Sequence, residues 1–229
     1  MTDRRGPERR GVGAVVFDLD GVVIDSEPVW EAVRRRVVEE SGGHWAPDAQ
    51  ARLMGMSTGE WSRYLSVDLG VGLSPAQVAD LVVGRVAEAY AVHLPLMPSA
   101  TGVVRSLAAC WPLGLASSSP RRLIDSVLDA SGLRECFSVA VSTEEVPRGK
   151  PAPDVYLLAA DRLSVSPERC VAVEDSTNGV RAADAAGMAC IAVPQPRYPV
   201  RPEVLSLATS VLTSLGELNV EVVASIGQS

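Results

Sequence analysis

The sequence predicts an α/β fold, in which a mostly parallel β-sheet is flanked by helices and carries an inserted α-helical domain. Three observations support this prediction. The apolar run 14–17 leads into acidic residues, as expected of a buried strand in a parallel sheet. Residues 27–97 show helical spacing of apolar side chains without a convincing strand. From residue 102 onwards, helix and strand patterns alternate, which indicates strand–helix units with right-handed crossovers.

The inserted segment contains three predicted helices. Ser26 is expected to cap the first, in which Trp30 and Val37 recur on one face while Arg34 falls among polar residues. The other two are predicted to begin with capping boxes, in which a serine and a Glu or Gln three positions later satisfy each other's backbone N–H groups. These two patterns lie at residues 57–60 and 74–77.

Five further strands are predicted after the inserted segment, at residues 113–116, 137–141, 170–173, 189–193 and 211–212. Helical patterns lie between most of them. Ser119, followed by Pro120, is expected to cap the helix after the second strand. The resulting sheet should be covered by helices on both faces.

Composition limits the classes of protein. The chain has 229 residues, of which 47% are hydrophobic, enough for one sizeable domain or for a core domain that carries a smaller one. Its formal net charge of -7 argues against nucleic acid as the main partner, because binding a phosphate backbone needs a basic surface. No apolar run is long enough to span a membrane. Residues 1–12 lack the apolar segment of a secretory signal and are interpreted as a disordered tail.

The cysteine pattern indicates the compartment. The four cysteines show no C-x-x-C spacing and are expected to be reduced, mostly buried thiols, with a disulfide pair as the alternative. We therefore expect a cytoplasmic protein, and a monomer by default.

Polar residues follow four of the predicted strand positions. They are Asp18 and Asp20, Ser117, Lys150, and Glu174 and Asp175. Because ligands of open parallel sheets bind beyond the carboxyl ends of the strands, these side chains are expected to share one site. Taken singly, each has a simpler interpretation as a polar turn, a helix cap or a solvated loop lysine.

The combination suits phosphoryl transfer, which depends on positioning and on neutralising charge. Asp18 and Asp20 would repel each other unless a cation or a shared proton offsets their charge. Carboxylate oxygens are the ligands that Mg²⁺ prefers, and a serine at a helix N-terminus suits a phosphate. The ammonium of Lys150 would neutralise a transferring phosphoryl group.

Several segments resemble motifs of the haloacid dehalogenase (HAD) superfamily. Residues 17–22 (Phe-Asp-Leu-Asp-Gly-Val), followed by 25–28 (Asp-Ser-Glu-Pro), resemble its first motif. Residues 150–154 (Lys-Pro-Ala-Pro-Asp) resemble its third motif, and Glu-Asp-Ser-x-x-Gly from residue 174 resembles its fourth. The resemblance covers nearly the whole chain. It implies a Rossmann-like core and an inserted helical cap, which here would be residues 13–26 with 98–229 and residues 27–97.

The resemblance also implies a reaction, the hydrolysis of a phosphate ester through an aspartyl phosphate. Asp18 would be the nucleophile and Asp20 the general acid and base. Ser117 and the backbone N–H of Ser118 would bind phosphate, and Lys150 would both bind phosphate and neutralise charge.

A Mg²⁺ ion is the cofactor that the resemblance implies. Its ligands would be the Asp18 carboxylate, the backbone carbonyl of Asp20, Asp175, and Glu174 either directly or through water.

Within the superfamily, the chain resembles the branch of sugar-phosphate phosphatases and β-phosphoglucomutases. Mutases of this branch carry a histidine where this chain has Trp30 and an arginine near Thr58, and both are absent here. This favours a phosphatase of a small sugar or polyol phosphate, without nucleic-acid or membrane partners. Because Arg52 or Arg63 could supply a cationic side chain, a mutase stays the alternative.

A non-catalytic regulator that binds sugar phosphates is a more remote alternative, disfavoured because the acidic residues and Lys150 are all present. The cap exit departs from the family, since Ser99 stands where a glycine is common.

Overall fold

The computed structural model describes residues 11–54 and 56–227. It contains six strands, which are β1 (Ala14–Phe17), β2 (Leu113–Ser117), β3 (Phe137–Ser142), β4 (Cys170–Glu174), β5 (Ala189–Ala192) and β6 (Ser210–Val211). They form one sheet in the order β3-β2-β1-β4-β5-β6, and all five neighbouring pairs are parallel. The predicted α/β class and its parallel sheet are confirmed. The predicted disordered tail, 1–12, lies almost entirely outside the described residues.

The central strand β1 shows why the sheet is buried. All four of its side chains have no exposed surface. Val15 and Phe17 belong to one apolar cluster and Ala14 and Val16 to another, because successive side chains of a strand point to opposite faces. Helices therefore cover both faces, as an apolar run without alternation predicts.

Ten α-helices lie between or after the strands in the described part of the chain. They are α1 (Glu27–Glu40), α2 (Ala49–Leu53), α3 (Thr58–Arg63), α4 (Pro75–Val92), α5 (Ala100–Ala108), α6 (Arg121–Ser131), α7 (Asp154–Leu163), α8 (Thr177–Ala185), α9 (Pro202–Leu205) and α10 (Val220–Ile226). A π-helical turn, Tyr64–Asp68, continues α3. Helical spacing predicted that the helix from Ser57 continues through this turn, but not its π-helical form. The short helices α2, α9 and α10 were not predicted, since few residues show no clear period.

We call residues 27–97 the cap segment. Both predicted capping boxes are present at its helices α3 and α4. The Ser57 N–H donates to Glu60 at 2.8 Å, and the Ser74 N–H donates to Gln77 at 3.0 Å. That the cap segment forms a separate domain stays a prediction.

Two chain segments join the cap segment to the sheet, and they lie side by side. The Asp25 N–H donates to the Pro95 carbonyl at 2.8 Å, and the Met97 N–H donates to the Val23 carbonyl at 2.9 Å. Ser99 lies two positions after Met97 and has φ of 68°, a conformation that glycine adopts more readily. The serine at this position therefore takes the left-handed conformation that a glycine would have favoured.

The expectation that Arg34 lies on the polar face of α1 is wrong. Its surface is only 7% exposed. The guanidinium packs on the Trp30 and Trp61 rings, at 4.7 and 5.4 Å from their centroids, and pairs with Glu27 at 3.4 Å. Positions 30, 34 and 37 lie on one face of α1, so Arg34 shares the buried face of Trp30 and Val37. Its charge is compensated there by Glu27 and Trp30 of the same helix and by Trp61 of α3.

The cysteines are free thiols, as expected. Cys170 and Cys190 are buried, whereas Cys110 is exposed. In the described ranges, no helix combines the length and apolar character that a membrane span requires.

Candidate active site

The site lies at the carboxyl edge of the sheet, where three central strands end. Asp18 follows β1, Ser117 ends β2 and Glu174 ends β4. The backbone N–H of Asp18 still donates to the Val173 carbonyl at 2.9 Å, so strand pairing holds its side chain at the edge. The parallel arrangement brings these distant residues together.

Lys150 connects two of these strand ends. Its Nζ donates to Asp18 Oδ1 at 2.8 Å and to Glu174 Oε1 at 2.6 Å, and to the Ala116 carbonyl at 2.9 Å. Its side chain is 5% exposed. Burial lowers the pKa of Lys150, but the charges of Asp18 and Glu174 outweigh this effect and raise the pKa overall. The ammonium is therefore charged and fixed between two carboxylates.

Glu174 is fully buried and saturated with hydrogen bonds. Its Oε1 accepts from Lys150 and from the Tyr156 hydroxyl, the latter at 2.7 Å. Its Oε2 accepts from the backbone N–H groups of Asp175 and Ser176 and from the Ser176 hydroxyl. A Cβ atom at Gly179 would lie 1.8 Å from Glu174 Oε1, so this glycine allows α8 to approach the carboxylate.

Asp18, Glu174 and Asp175 form a cluster of carboxylates whose oxygens lie within 4.8 Å of one another. Burial first, and then Glu174 and Asp20, raise the pKa of Asp18 to about 7 against the opposing effect of Lys150. Burial first, and then the charges of Glu174 and Asp18, raise the pKa of Asp175 well above its usual value. One ammonium does not balance this negative charge, and hard oxygen donors are what Mg²⁺ prefers. The cluster fits a divalent cation.

The turn after β1 brings Asp175 close to the backbone. Gly21 has φ of 81°, and a Cβ atom there would lie 1.8 Å from Asp175 Oδ2. Gln195, in the chain that follows β5, donates to the Gly21 carbonyl at 2.8 Å and so holds this turn. Only glycine fits both the backbone angle and the space at this position.

Asp20 is held by two serine hydroxyls rather than by the lysine. Its Oδ2 accepts from Ser117 Oγ at 3.2 Å and from Ser119 Oγ at 2.8 Å. Ser117 Oγ in turn accepts from the Ser119 N–H at 2.9 Å. The Asp20 Oδ1 atom is buried and has no hydrogen-bond partner among the described residues. One oxygen of Asp20 is thus positioned and the other is unpaired.

The expectation that Ser119 caps the following helix is wrong. The helix begins at Arg121, Pro120 occupies the cap position, and no side chain caps it. Ser119 is buried instead, because its hydroxyl turns towards Asp20. In sequence, a serine before a proline resembles a helix cap. Here Asp20, which follows the neighbouring strand β1, accepts the hydroxyl hydrogen bond of Ser119 instead.

The structure thus gathers the predicted residues into two hydrogen-bonded groups, one around Lys150 and one around Asp20. Ser118 is exposed beside them, and its carbonyl accepts from Thr143 at 3.3 Å. The roles of all these residues in binding phosphate or metal stay predictions. Sequence reasoning missed the contacts of Ser119, Tyr156 and Gln195, because no local pattern marks a side chain that reaches another strand.

Comparison with known proteins identifies the family. A family model for haloacid dehalogenase-like hydrolases matches residues 12–187. The chain belongs to the haloacid dehalogenase-like hydrolases. The superfamily predicted from the motifs is confirmed, and the matched range includes every one of the predicted site residues.

Similar proteins within this hydrolase family include phosphatases. Hexitol phosphatase B of Escherichia coli (strain K12) is 36% identical over 218 residues, which cover 91% of this chain and 95% of that protein. The structure of CbbY from Rhodobacter sphaeroides in complex with phosphate is 28% identical, with a TM-score of 0.82 over 93% of this chain and 99% of that one. A β-phosphoglucomutase from Clostridium difficile has a TM-score of 0.79 over 95% and 97% of the two chains, at 22% identity, and so shows the shared fold alone.

Proposed function

We propose that the protein is a Mg²⁺-dependent phosphatase that hydrolyses the monophosphate of a small sugar or polyol. The observation that carries the proposal is the position of Lys150, which holds Asp18 beside the carboxylates of Glu174 and Asp175. The likeness to hexitol phosphatase B over nearly the full length of both chains supports this substrate class.

The reaction would proceed in two steps. Because Lys150 binds Asp18 Oδ1, we assign the attack on phosphorus to Oδ2, which forms an aspartyl phosphate and releases the sugar oxygen. Asp20 would protonate that oxygen and then take a proton from the water that hydrolyses the aspartyl phosphate. Ser117 and Ser119 would aim the Asp20 carboxyl group in both steps.

We assign the phosphate oxygens to the donors at the end of β2. Ser118 lies exposed at the strand end, where its backbone N–H would bind the phosphate together with Lys150. The Ser117 hydroxyl is already bonded to Asp20, so binding phosphate would require it to exchange that partner.

The metal would be held by Asp18 and Asp175 and by the backbone carbonyl of Asp20. Because both oxygens of Glu174 already accept hydrogen bonds, we assign it the role of orienting Lys150 and adding negative charge. When bound, Mg²⁺ would offset the repulsion between the nucleophile and the substrate phosphate.

The experiment that tests this proposal measures release of inorganic phosphate from hexitol, hexose, pentose and deoxyhexose phosphates. Release should need Mg²⁺, stop with EDTA, and fall by at least about 10³-fold in Asp18→Asn. If β-glucose 1-phosphate becomes glucose 6-phosphate with a bisphosphate primer and no phosphate is released, the protein is a mutase. Binding without turnover in both assays would instead indicate a regulator.

Metal binding has its own readout. Mg²⁺ should raise the melting temperature of the wild-type protein, because a ligand that binds only the folded state stabilises it. The shift should be lost in Asp175→Asn. An equal shift in both proteins would place the metal elsewhere.

A further inference from the structure

A second group of polar side chains, of which Arg34 is buried and Glu27 and Gln50 are half-buried, lies in the cap segment. Glu27 Oε1 accepts from Gln50 Nε2 at 2.5 Å and from Arg34 Nη1 at 3.4 Å. One carboxylate, one guanidinium and one amide make this group neutral overall. Its charges are therefore balanced without any contribution from the catalytic residues.

The group is nevertheless incomplete. Arg34 Nε and Gln50 Oε1 are buried, and neither has a hydrogen-bond partner within residues 11–54 and 56–227. Unpaired buried donors and acceptors are rare in native proteins, because each forfeits its bonds to water. The rings of Trp30 and Trp61, 5.9 Å apart, hold the guanidinium so that it has little freedom to find another partner.

This group lies close to the catalytic acid and base. The backbone forms a bridge between Asp20 and Ile24, the Gly21 N–H donates to the Ile24 carbonyl at 2.7 Å, and α1 begins soon after, at Glu27. Asp20 also raises the pKa of Glu27, after the larger effect of burial. Glu27, and with it the paired Arg34, therefore follows the turn that carries Asp20, whose Oδ1 is likewise without a partner among the described residues.

We propose that Arg34 donates, through Nε, to a hydroxyl group of the alcohol part of the substrate, and that Glu27 keeps this site neutral. A hydroxyl group both donates and accepts, so a polyhydroxylated leaving group supplies partners for Arg34 Nε and Gln50 Oε1.

Because the group formed by Glu27, Arg34 and Gln50 is already neutral, it should disfavour a substrate that carries a second phosphate. Another dianion would lie beside the negative charge of Glu27, and the guanidinium of Arg34 is already paired with that carboxylate. The substrate class is thus the monophosphate of an uncharged polyol or sugar, not a bisphosphate. This inference rests on the proposed phosphatase activity.

The test compares kcat/KM for sorbitol 6-phosphate, which is rich in hydroxyl groups, with that for p-nitrophenyl phosphate, which has none outside its phosphate. The wild-type ratio should exceed one. It should fall by at least about tenfold in Arg34→Met, and also in Arg34→Lys, which keeps the charge but loses the planar donor. Melting curves show whether each variant folds. If Arg34→Met does not fold, the ratio measured for Arg34→Lys tests the proposal.

The matched control is Arg35→Met, one position along the same helix. Arg35 is exposed and pairs with Glu39 at 2.9 Å on the surface. Its removal should leave the ratio unchanged.

A second measurement uses charge. Glu27→Gln keeps an acceptor for Gln50 but leaves the Arg34 charge unbalanced. The inhibition constant of glucose 1,6-bisphosphate, relative to that of glucose 6-phosphate, should improve by at least about tenfold in this variant. An unchanged relative constant would overturn the assigned role of Glu27.

The outcomes separate the two proposals. If the wild-type protein releases phosphate from neither substrate, the proposed phosphatase activity fails. If it hydrolyses p-nitrophenyl phosphate at least as well as sorbitol 6-phosphate, or if the ratio survives both Arg34 variants, the activity stands and this inference is wrong.

Discussion

The catalytic core and the cap segment bury charge in opposite ways. In the core, Lys150 lies between two carboxylates, and both oxygens of Glu174 accept hydrogen bonds. In the cap segment, Arg34 has one carboxylate partner at 3.4 Å and a buried Nε without a partner among the described residues. The core site is organised before substrate arrives, whereas the cap site is complete only with a ligand.

This difference suggests that the core residues carry out the reaction and that the cap segment selects the substrate. Preorganised groups stabilise charge that develops in any phosphate ester, because they need no rearrangement during the reaction. Unpaired groups at a binding site instead discriminate, since a substrate that lacks the matching hydroxyl leaves them unpaired. Variants of the core should therefore affect all substrates alike, and variants of the cap segment should change their ranking.

The largest effect is expected from Lys150→Met. It removes the cation between Asp18 and Glu174, so kcat/KM should fall by at least about 10²-fold for every substrate. The unfolding free energy should fall by about 3–5 kcal/mol, because two buried carboxylates lose their partner. Urea unfolding and steady-state kinetics measure both.

The matched control for Lys150 is Arg148→Met in the same loop. Arg148 pairs with Asp154 at 2.7 Å but is 69% exposed, and its removal should change neither quantity measurably. If the Lys150→Met protein kept its activity on even one substrate, the proposal that core residues act on all substrates alike would be wrong.

A smaller effect is expected from Ser119→Ala, which removes the 2.8 Å hydrogen bond to Asp20. A hydrogen bond to a charged group contributes about 1.5 kcal/mol, and losing that amount of transition-state stabilisation lowers kcat about tenfold. The loss should be equal for polyol, sugar and aryl phosphates. Ser131→Ala, at the far end of α6, is the control, and a loss confined to one substrate would place Ser119 in recognition instead.

The smallest effect concerns the backbone where the chain leaves the cap segment. Ser99 and Ser164 both have positive φ, 68° and 57°, and both are exposed, but only Ser99 adjoins the cap segment. Glycine at either position should raise the unfolding free energy by about 0.5–1 kcal/mol, as relief of strain exceeds the added entropy of the unfolded chain. If Ser99 sets the position of the cap segment, only Ser99→Gly should also change kcat. Equal kinetics in both variants would contradict this.

Local patterns predicted most of the fold. The apolar run of β1, the capping boxes at Ser57 and Ser74 and the alternation of strands and helices all appear in the structure. Each depends on neighbours within a few positions, so it is readable in the chain. Helices α2, α9 and α10 were not predicted because they are too short to show a clear period.

By itself, the sequence determined which residue types stand at the strand ends, and hence the chemistry of Asp18, Lys150 and Asp175. Only the tertiary structure decided their partners, because the contact between Asp18 and Lys150 spans 132 positions. For the same reason, it placed Ser119 on Asp20 instead of on a helix N-terminus, and buried Arg34 between two indole rings. A buried polar group forms hydrogen bonds with the partners that folding brings within reach, and its neighbours in the sequence do not identify those partners.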